Sequence, residues 1–144
     1  MLKHTIREEI VVERSPDVRD DLRKFARSVL ERTKLTEYER GLLLLALDEV
    51  FCAFTEAGKT GNGEEKVSVA FDVNDVRVRI TIDDSQTRFE NDIDEEQFRD
   101  LSENPSRREI DVQFIASVVD EMVYKFQKGI ENRLVLVKFI EGGS

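Results

Sequence analysis

Several residue types that carry chemistry are nearly missing from this chain of 144 residues. It has one cysteine, Cys52, so a disulfide within the chain is excluded, and we expect a reducing compartment. It also has one histidine, His4, which stands alone near the amino terminus. With one cysteine and one histidine, the sequence contains no Cys/His metal cluster and offers no Ser/His/Asp set. We also find no glycine-rich phosphate-binding loop.

The chain also lacks an excess of basic charge. It has 22 Lys and Arg against 31 Asp and Glu, a net charge of −9. Direct, sequence-independent binding to nucleic acid requires phosphate neutralisation and is not expected, although an acidic surface suits a partner protein with a basic one. We find no secretory signal and expect a cytoplasmic protein with no membrane attachment. The length fits a single domain over 1–144.

The longest apolar run, residues 42–54, is interrupted only by Asp48 and Glu49. No glycine or proline breaks it, and thirteen residues are too few to span a bilayer, so it predicts a buried core helix. Thr36 and Glu39 have the spacing of a capping box at its start. Gly58 is the expected stop. The acid pair lies either on a solvated stripe of the helix or in a functional site.

Elsewhere the apolar period separates strands from helices. Steps of three and four predict a helix from Ser15-Pro16 to about Thr33 and another from Ile110 to about Asp120. Period-two alternation predicts an edge strand over 5–13, a hairpin that turns at Asn74-Asp75, and a last hairpin over 122–140. A short helix over 94–101 and a loop over 102–108 fill the polar stretch between them.

The strands have one apolar and one polar face, so helices should cover one side of the sheet only. The fold class predicted is therefore α+β, a two-layer sandwich with helices on one face of a mixed, mainly antiparallel sheet. The expected order is β-α-α-β-β-loop-α-β-β.

Three stretches in that order resemble the histidine-kinase-like ATPase (GHKL) fold, most closely the bacterial anti-sigma-factor serine kinases. The first, Leu47-Asp48-Glu49-Val50-Phe51-Cys52-Ala53, is similar to the family's helix with Glu and then Asn four residues on. The second, Ile82-Asp83-Asp84-Ser85-Gln86, is similar to its strand that runs into an Asp-x-Gly turn. The third, 115–124, is similar to the helix and strand that follow its glycine-rich lid.

This resemblance implies roles for two residues. Glu49 matches the family's general base, and Asp84 matches the Asp that accepts a hydrogen bond from the adenine amino group. Ala53, however, stands where the family has the Asn that ligates magnesium, and a methyl group cannot coordinate that hard cation.

The family's glycine turns are also replaced. Gln86 and Arg88 stand where small residues let the backbone approach the nucleotide. Glu109 and Asp111 stand where lid glycines would cradle phosphates, and their carboxylates would repel a triphosphate. The resemblance therefore implies a family member that has lost ATP binding, with no cofactor.

Each candidate residue also has a structural interpretation. Glu49 can be a surface carboxylate, Asp84 can end a strand where short polar side chains are favoured, and Cys52 is expected to be a small core side chain rather than a reactive thiol.

Three functions follow. The leading one is a regulator that binds a sigma factor or a STAS-type anti-anti-sigma protein, with a homodimer as the family's usual state. The alternative is a diverged protein serine kinase that uses ATP and magnesium, with Glu49 and Asp84 as its site. The third is a pocket remade for another small ligand, for which two lid acids favour a cation.

Overall fold

The computed structural model describes residues 5–55, 66–84, 112–127 and 131–140. Within these ranges the order of elements is the predicted one. The strands are β1 (Ile6–Glu13), β2 (Lys66–Val73), β3 (Arg77–Asp83), β4 (Glu121–Gln127) and β5 (Glu131–Phe139), and the helices are α1 (Arg19–Leu30), α2 (Glu37–Phe54) and α3 (Val112–Val118). A single 3-10 turn, Pro16–Val18, leads into α1, and the Ser15 hydroxyl accepts a hydrogen bond from the backbone N–H of Asp17.

The five described strands form one sheet in the order β1-β2-β3-β5-β4. Every described pairing is antiparallel, and β1 lies at an edge, as expected. Residues that face each other across antiparallel strands point to the same side of a sheet. The buried pairs Phe71–Ile80 and Ile80–Leu136, with Val69 opposite the partly buried Ile10, therefore mark an inner face, whereas Arg7–Asp72 and Asp72–Arg79 mark an outer one.

The helices cover the inner face, and one continuous cluster of buried side chains joins them to the strands. Phe25 of α1 meets Phe71 of β2 edge to face, with ring centroids 5.7 Å apart. Leu43, Leu47 and Phe51 of α2 are buried in the same cluster. This is the predicted two-layer α+β sandwich.

The predicted capping box begins α2. The Thr36 hydroxyl accepts from the Glu39 N–H at 3.1 Å, and the Glu39 carboxylate accepts from the Thr36 N–H at 2.9 Å. The helix ends at Phe54, four residues before the glycine expected to stop it, because Thr55 supplies the cap. Gly58 itself lies outside the described residues, as do the helix predicted over 94–101 and the loop over 102–108.

Two further expectations need correction. The helix predicted to reach Asp120 ends at Val118, where the chain turns into β4, and the Asp120 carboxylate accepts from the backbone N–H of Phe139. Cys52 is half-buried rather than enclosed in the core, because it lies on the outer side of α2. Among the described helices, none is long and apolar enough to cross a membrane.

Two leucines of α2 offer a direct test of this packing. Leu47 is fully buried, whereas Leu45, on the opposite side of the helix, is 55% exposed. Leu47→Ala should lower the free energy of unfolding by about 2–5 kcal/mol, because it removes buried methyl groups and leaves a cavity. Leu45→Ala, the matched control, should change it by less than about 1 kcal/mol. Urea denaturation followed by circular dichroism measures both, and equal losses would contradict the assigned orientation of α2.

Candidate functional site

The candidate site lies at one end of the sheet, on its inner face, where β1 and β3 end. Arg14 follows β1 and continues the inward-facing series Ile6, Ile10, Val12. Asp84 follows β3 and continues the inward-facing series Val78, Ile80, Ile82. Period two thus directs a cation and an anion into the space between the sheet and the helices, although the two residues are 70 positions apart in sequence.

Asp84 is a buried carboxylate held by a guanidinium. Its side chain is 1% exposed, and its Oδ2 accepts a hydrogen bond from Arg14 Nη1 at 3.1 Å. The Arg14 side chain is itself 20% exposed. A carboxylate removed from water is strongly disfavoured unless an opposite charge accompanies it. Arg14 supplies that charge from within the chain.

The preceding residue shows the contrast between the two faces. Asp83 points to the outer face, where its Oδ2 accepts from Arg133 Nη2 at 2.9 Å and Nε at 3.2 Å. This pair is partly exposed, so solvent screens it. Two adjacent aspartates are therefore each paired with an arginine. The Asp83 pair is partly exposed on the outer face, and Asp84 is buried on the inner face.

Tyr124 of β4 lies within electrostatic reach of Asp84. Partial burial, with the negative charge of Asp84 as a second cause, raises the pKa of Tyr124 to about 12. A phenol whose pKa is raised in this way remains neutral across the physiological range. The hydroxyl can therefore take part in hydrogen bonding here, but it does not supply a tyrosinate.

The acid pair of α2 is divided between two environments. Asp48 accepts a hydrogen bond from Arg23 Nε of α1 at 2.8 Å, and this bond raises the pKa of that guanidinium. Glu49 is exposed, and among the residues described it meets no hydrogen-bond or salt-bridge partner. Ala53 lies one turn further on the same side of the helix and is half-buried. Glu49 thus faces solvent, whereas Asp48 is held by α1.

The carboxyl end of α2 is closed by another arginine. Arg19 Nε donates to the hydroxyl of the buried Thr55 at 2.8 Å, and that hydroxyl donates to the carbonyl of Phe51 at 2.6 Å. Arg19 Nη2 also reaches the carbonyl of Cys52 at 3.5 Å. A cation at the negative end of a helix dipole is favourable. This contact ties the start of α1 to the end of α2.

At position 53 the described residues depart from a site for a magnesium-bound nucleotide. Ala53 offers no oxygen to a metal ion, and within the four described ranges no group of three or more His, Cys, Asp or Glu could hold one. The carboxylate of Asp84, the adenine acceptor implied by the resemblance, already accepts a hydrogen bond from Arg14. The turn and lid positions Gln86, Arg88, Glu109 and Asp111 lie outside the described residues.

Sequence reasoning singled out Asp84 and Glu49 as candidates but missed Arg14 as a partner of Asp84. Two signals were available. Continuing the alternation of β1 by one step puts Arg14 on the apolar face, and continuing that of β3 does the same for Asp84. The sequence does not show that these two strand ends lie close together, because that depends on β2 lying between β1 and β3.

A family model described as the histidine kinase-like ATPase domain matches residues 12–138. The match includes Arg14, both acids of α2 and Asp84. No curated protein matches the chain significantly.

The two neighbouring aspartates provide a matched pair of variants. Asp84→Asn leaves the Arg14 guanidinium without its buried counter-charge and should lower the free energy of unfolding by about 3–5 kcal/mol. Asp83→Asn, which breaks the partly exposed pair with Arg133, should lower it by less than about 1 kcal/mol. Chemical denaturation of both variants at neutral pH measures the difference. A loss for Asp83→Asn as large as that for Asp84→Asn would contradict the buried placement.

The ionisation of Tyr124 should lower the free energy of unfolding at alkaline pH. Its pKa is about 12 in the folded state and about 10 in an unfolded chain. Folding therefore favours the neutral phenol, and this contribution is fully present below pH 10 and is lost as pH rises from about 10 to 12. Absorbance of tyrosinate against pH should show a transition near pH 12 that Tyr124→Phe removes. A wild-type chain with no such late transition would be inconsistent with this assignment.

Proposed function

Because the chain belongs to the histidine kinase-like ATPase domain family, we propose that it is a regulatory protein that has lost ATP binding. It acts by binding a sigma factor or a STAS-type antagonist, and so it is not a kinase. The scaffold of the family remains, whereas the groups that would hold the nucleotide have other roles or are missing.

The observation that carries this proposal is the Arg14–Asp84 pair. An adenine amino group needs a carboxylate with an acceptor oxygen directed into an accessible pocket. Here that carboxylate is 1% exposed and bound to Arg14. An adenine amino group would therefore have to reach a carboxylate that is buried and already hydrogen-bonded to a guanidinium.

The metal position supports the same proposal. Magnesium keeps most of its waters and is held by one or two carboxylates together with the phosphates of its nucleotide. The residue four positions after Glu49 is alanine, so the magnesium ligand that the resemblance implies at this position has no counterpart here. A methyl group offers such an ion no oxygen.

A protein partner suits the surface of the helical layer. Two large apolar side chains of α2 face solvent, Tyr38 at 75% and Leu45 at 55% exposure. Tyrosine is among the side chains that supply much of the energy at protein interfaces, and an exposed leucine on the same side of the helix adds apolar area. With a net charge of −9, the chain favours a partner with a basic surface. A homodimer, the family's usual state, belongs to the same proposal.

One observation favours a second candidate, a diverged serine kinase. Glu49 is exposed, so a hydroxyl or water molecule could reach its carboxylate. In that case the chain would need ATP and magnesium at a site built with residues beyond those described. The two candidates differ in nucleotide affinity.

The first test is thermal unfolding with millimolar Mg-ATP or Mg-ADP. A ligand at a hundredfold excess over its Kd adds about 2.7 kcal/mol of stability, which shifts the Tm of a domain of this size by several degrees. We expect a shift below about 0.5 °C. An ATP-binding protein of the same family is the positive control. A shift of several degrees that Asp84→Asn abolishes would refute the loss of ATP binding.

The second test concerns the partner. The tagged chain should recover a sigma factor or a STAS-domain protein from its native host, in the presence or absence of ATP. Leu45→Asp, which places a charge on the exposed side of α2 away from the core, should weaken this recovery without lowering the Tm by more than about 2 °C. Recovery of neither class of protein would contradict the proposal.

A further inference from the structure

We propose that two copies of this chain associate through the outer faces of their sheets, as a face-to-face sandwich with a two-fold axis. A homodimer is part of the proposed function, on which this inference rests, and the surface that forms it is the new step. The outer face lies opposite the helices, so the exposed side of α2 stays accessible in such a dimer.

The middle of the outer face is a row of uncharged side chains that crosses four strands. Cross-strand pairing places the members of this central row side by side from β4 to β2: Val123, Val135, Thr81 and Ala70. Val123 is 47% exposed, and Phe139 of the same face is 45% exposed. A groove of about 380 Å³ lies over the row, lined by three of its members together with Asp72, Arg79 and Arg133. Exposed apolar area of this kind marks a surface that a protein partner can cover.

Charged side chains flank the central row on both sides. Two residues along the strands in one direction lie the charged members of the first row, Lys125, Arg133 and Asp83. Two residues in the other direction lie those of the second row, Glu121, Arg79, Asp72 and Arg7. These two rows nearly balance in charge, whereas the whole chain has a net charge of −9. Association through this face therefore does not bring two strongly acidic surfaces together.

A two-fold axis along the central row makes the charged rows complementary. Each strand then lies against the same strand of the second copy in the reverse direction, so the first row faces the second. Asp83 meets Arg79 across β3, and Lys125 meets Glu121 across β4. Each contact occurs twice, because the interface is isologous. Within the described rows, like charges meet only where the two copies of Glu9 face each other at the β1 edge.

The other two-fold arrangement of stacked sheets, with its axis along β3, is disfavoured by the same side chains. It would set Asp83 against Asp83 and Arg79 against Arg79 in the middle of the interface. Like charges placed opposite each other suppress an association. The charge pattern of the outer face therefore selects one of the two orientations.

The side chains of the Asp83–Arg79 contact have the capacity to form it. Both hydrogen bonds from Arg133 end on Asp83 Oδ2, and a carboxylate accepts on two oxygens, so Oδ1 can accept from Arg79 of the second copy. Arg79 is 45% exposed, and its guanidinium has five N–H donors, of which Asp72 engages Nη2. Packed sheets lie about 10 Å apart, a gap that an arginine and an aspartate extended towards each other can span.

Sedimentation equilibrium of the full chain, from about 1 to 100 µM at low salt, tests this interface. The wild-type chain should form a dimer in this range. Asp83→Arg and Arg79→Asp should each raise the dissociation constant at least about tenfold, because each replaces two attractive contacts with two repulsive ones. Thr81→Arg, which puts a long charged side chain in the central row, should abolish the dimer. Lys24→Glu, an equal charge reversal on the exposed side of α1, should leave the dissociation constant unchanged.

An equimolar mixture of Asp83→Arg and Arg79→Asp should recover the dimer. In the mixed dimer one contact joins the two substituted side chains and the other joins the two native ones, so opposite charges meet at both. The dissociation constant should return to within about threefold of the wild-type value. Recovery on mixing also shows that both variants are folded, as expected when only partly exposed ion pairs within the chain are broken.

A wild-type chain that stays monomeric at 100 µM would overturn the proposal, as would a mixture that dimerises no better than its components. A dimer that none of the three outer-face variants weakens would also overturn it, while leaving the homodimer of the proposed function in place. The loss of ATP binding is tested separately by the melt with Mg-ATP. A large shift in that melt would refute the proposed function without bearing on this interface.

Discussion

The fold depends on a sheet that is apolar on one face only. Each strand places every second side chain among the helices, and these side chains form a single core with α1, α2 and α3. Helices on the other face would have to bury Arg7, Asp72, Arg79 and their ion pairs, at a large cost in desolvation. The two-layer architecture is therefore a consequence of the alternation, and it determines which strand ends lie in the interior.

The same constraint explains the unusual electrostatics of the site. A polar residue that continues the inward-facing alternation beyond the end of its strand is directed into the space between the sheet and the helices. Asp84 is such a residue, and Arg14 is another that arrives from a different strand. Separately, each would destabilise the fold, but at 3.1 Å they neutralise each other. A residue that resembles a ligand-binding position thus forms a buried ion pair within the chain.

Sequence was informative wherever the governing interaction is local. The capping box of Thr36 and Glu39, the hairpin turn at Asn74 and the alternation of β2 and β3 act within a few residues, and all were predicted correctly. The end of α2 was not predicted correctly, because its cap depends on a tertiary contact. Thr55 follows α2, and Arg19, the first residue of α1, donates a hydrogen bond to its hydroxyl. Arg14 was missed for the same reason, since its partner is contributed by a strand two positions away in the sheet.

Glu49 shows what the spacing of a motif determines. The helix presents Glu49 and position 53 on one side, because a four-residue spacing fixes that relation whatever the side chains are. Metal binding requires more than this spacing, since magnesium needs oxygen ligands and alanine at position 53 supplies none. In the part of the chain that the structure describes, Ala53 packs against the core and the buried carboxylate of Asp84 is paired with Arg14. Both positions therefore contribute contacts within the chain itself.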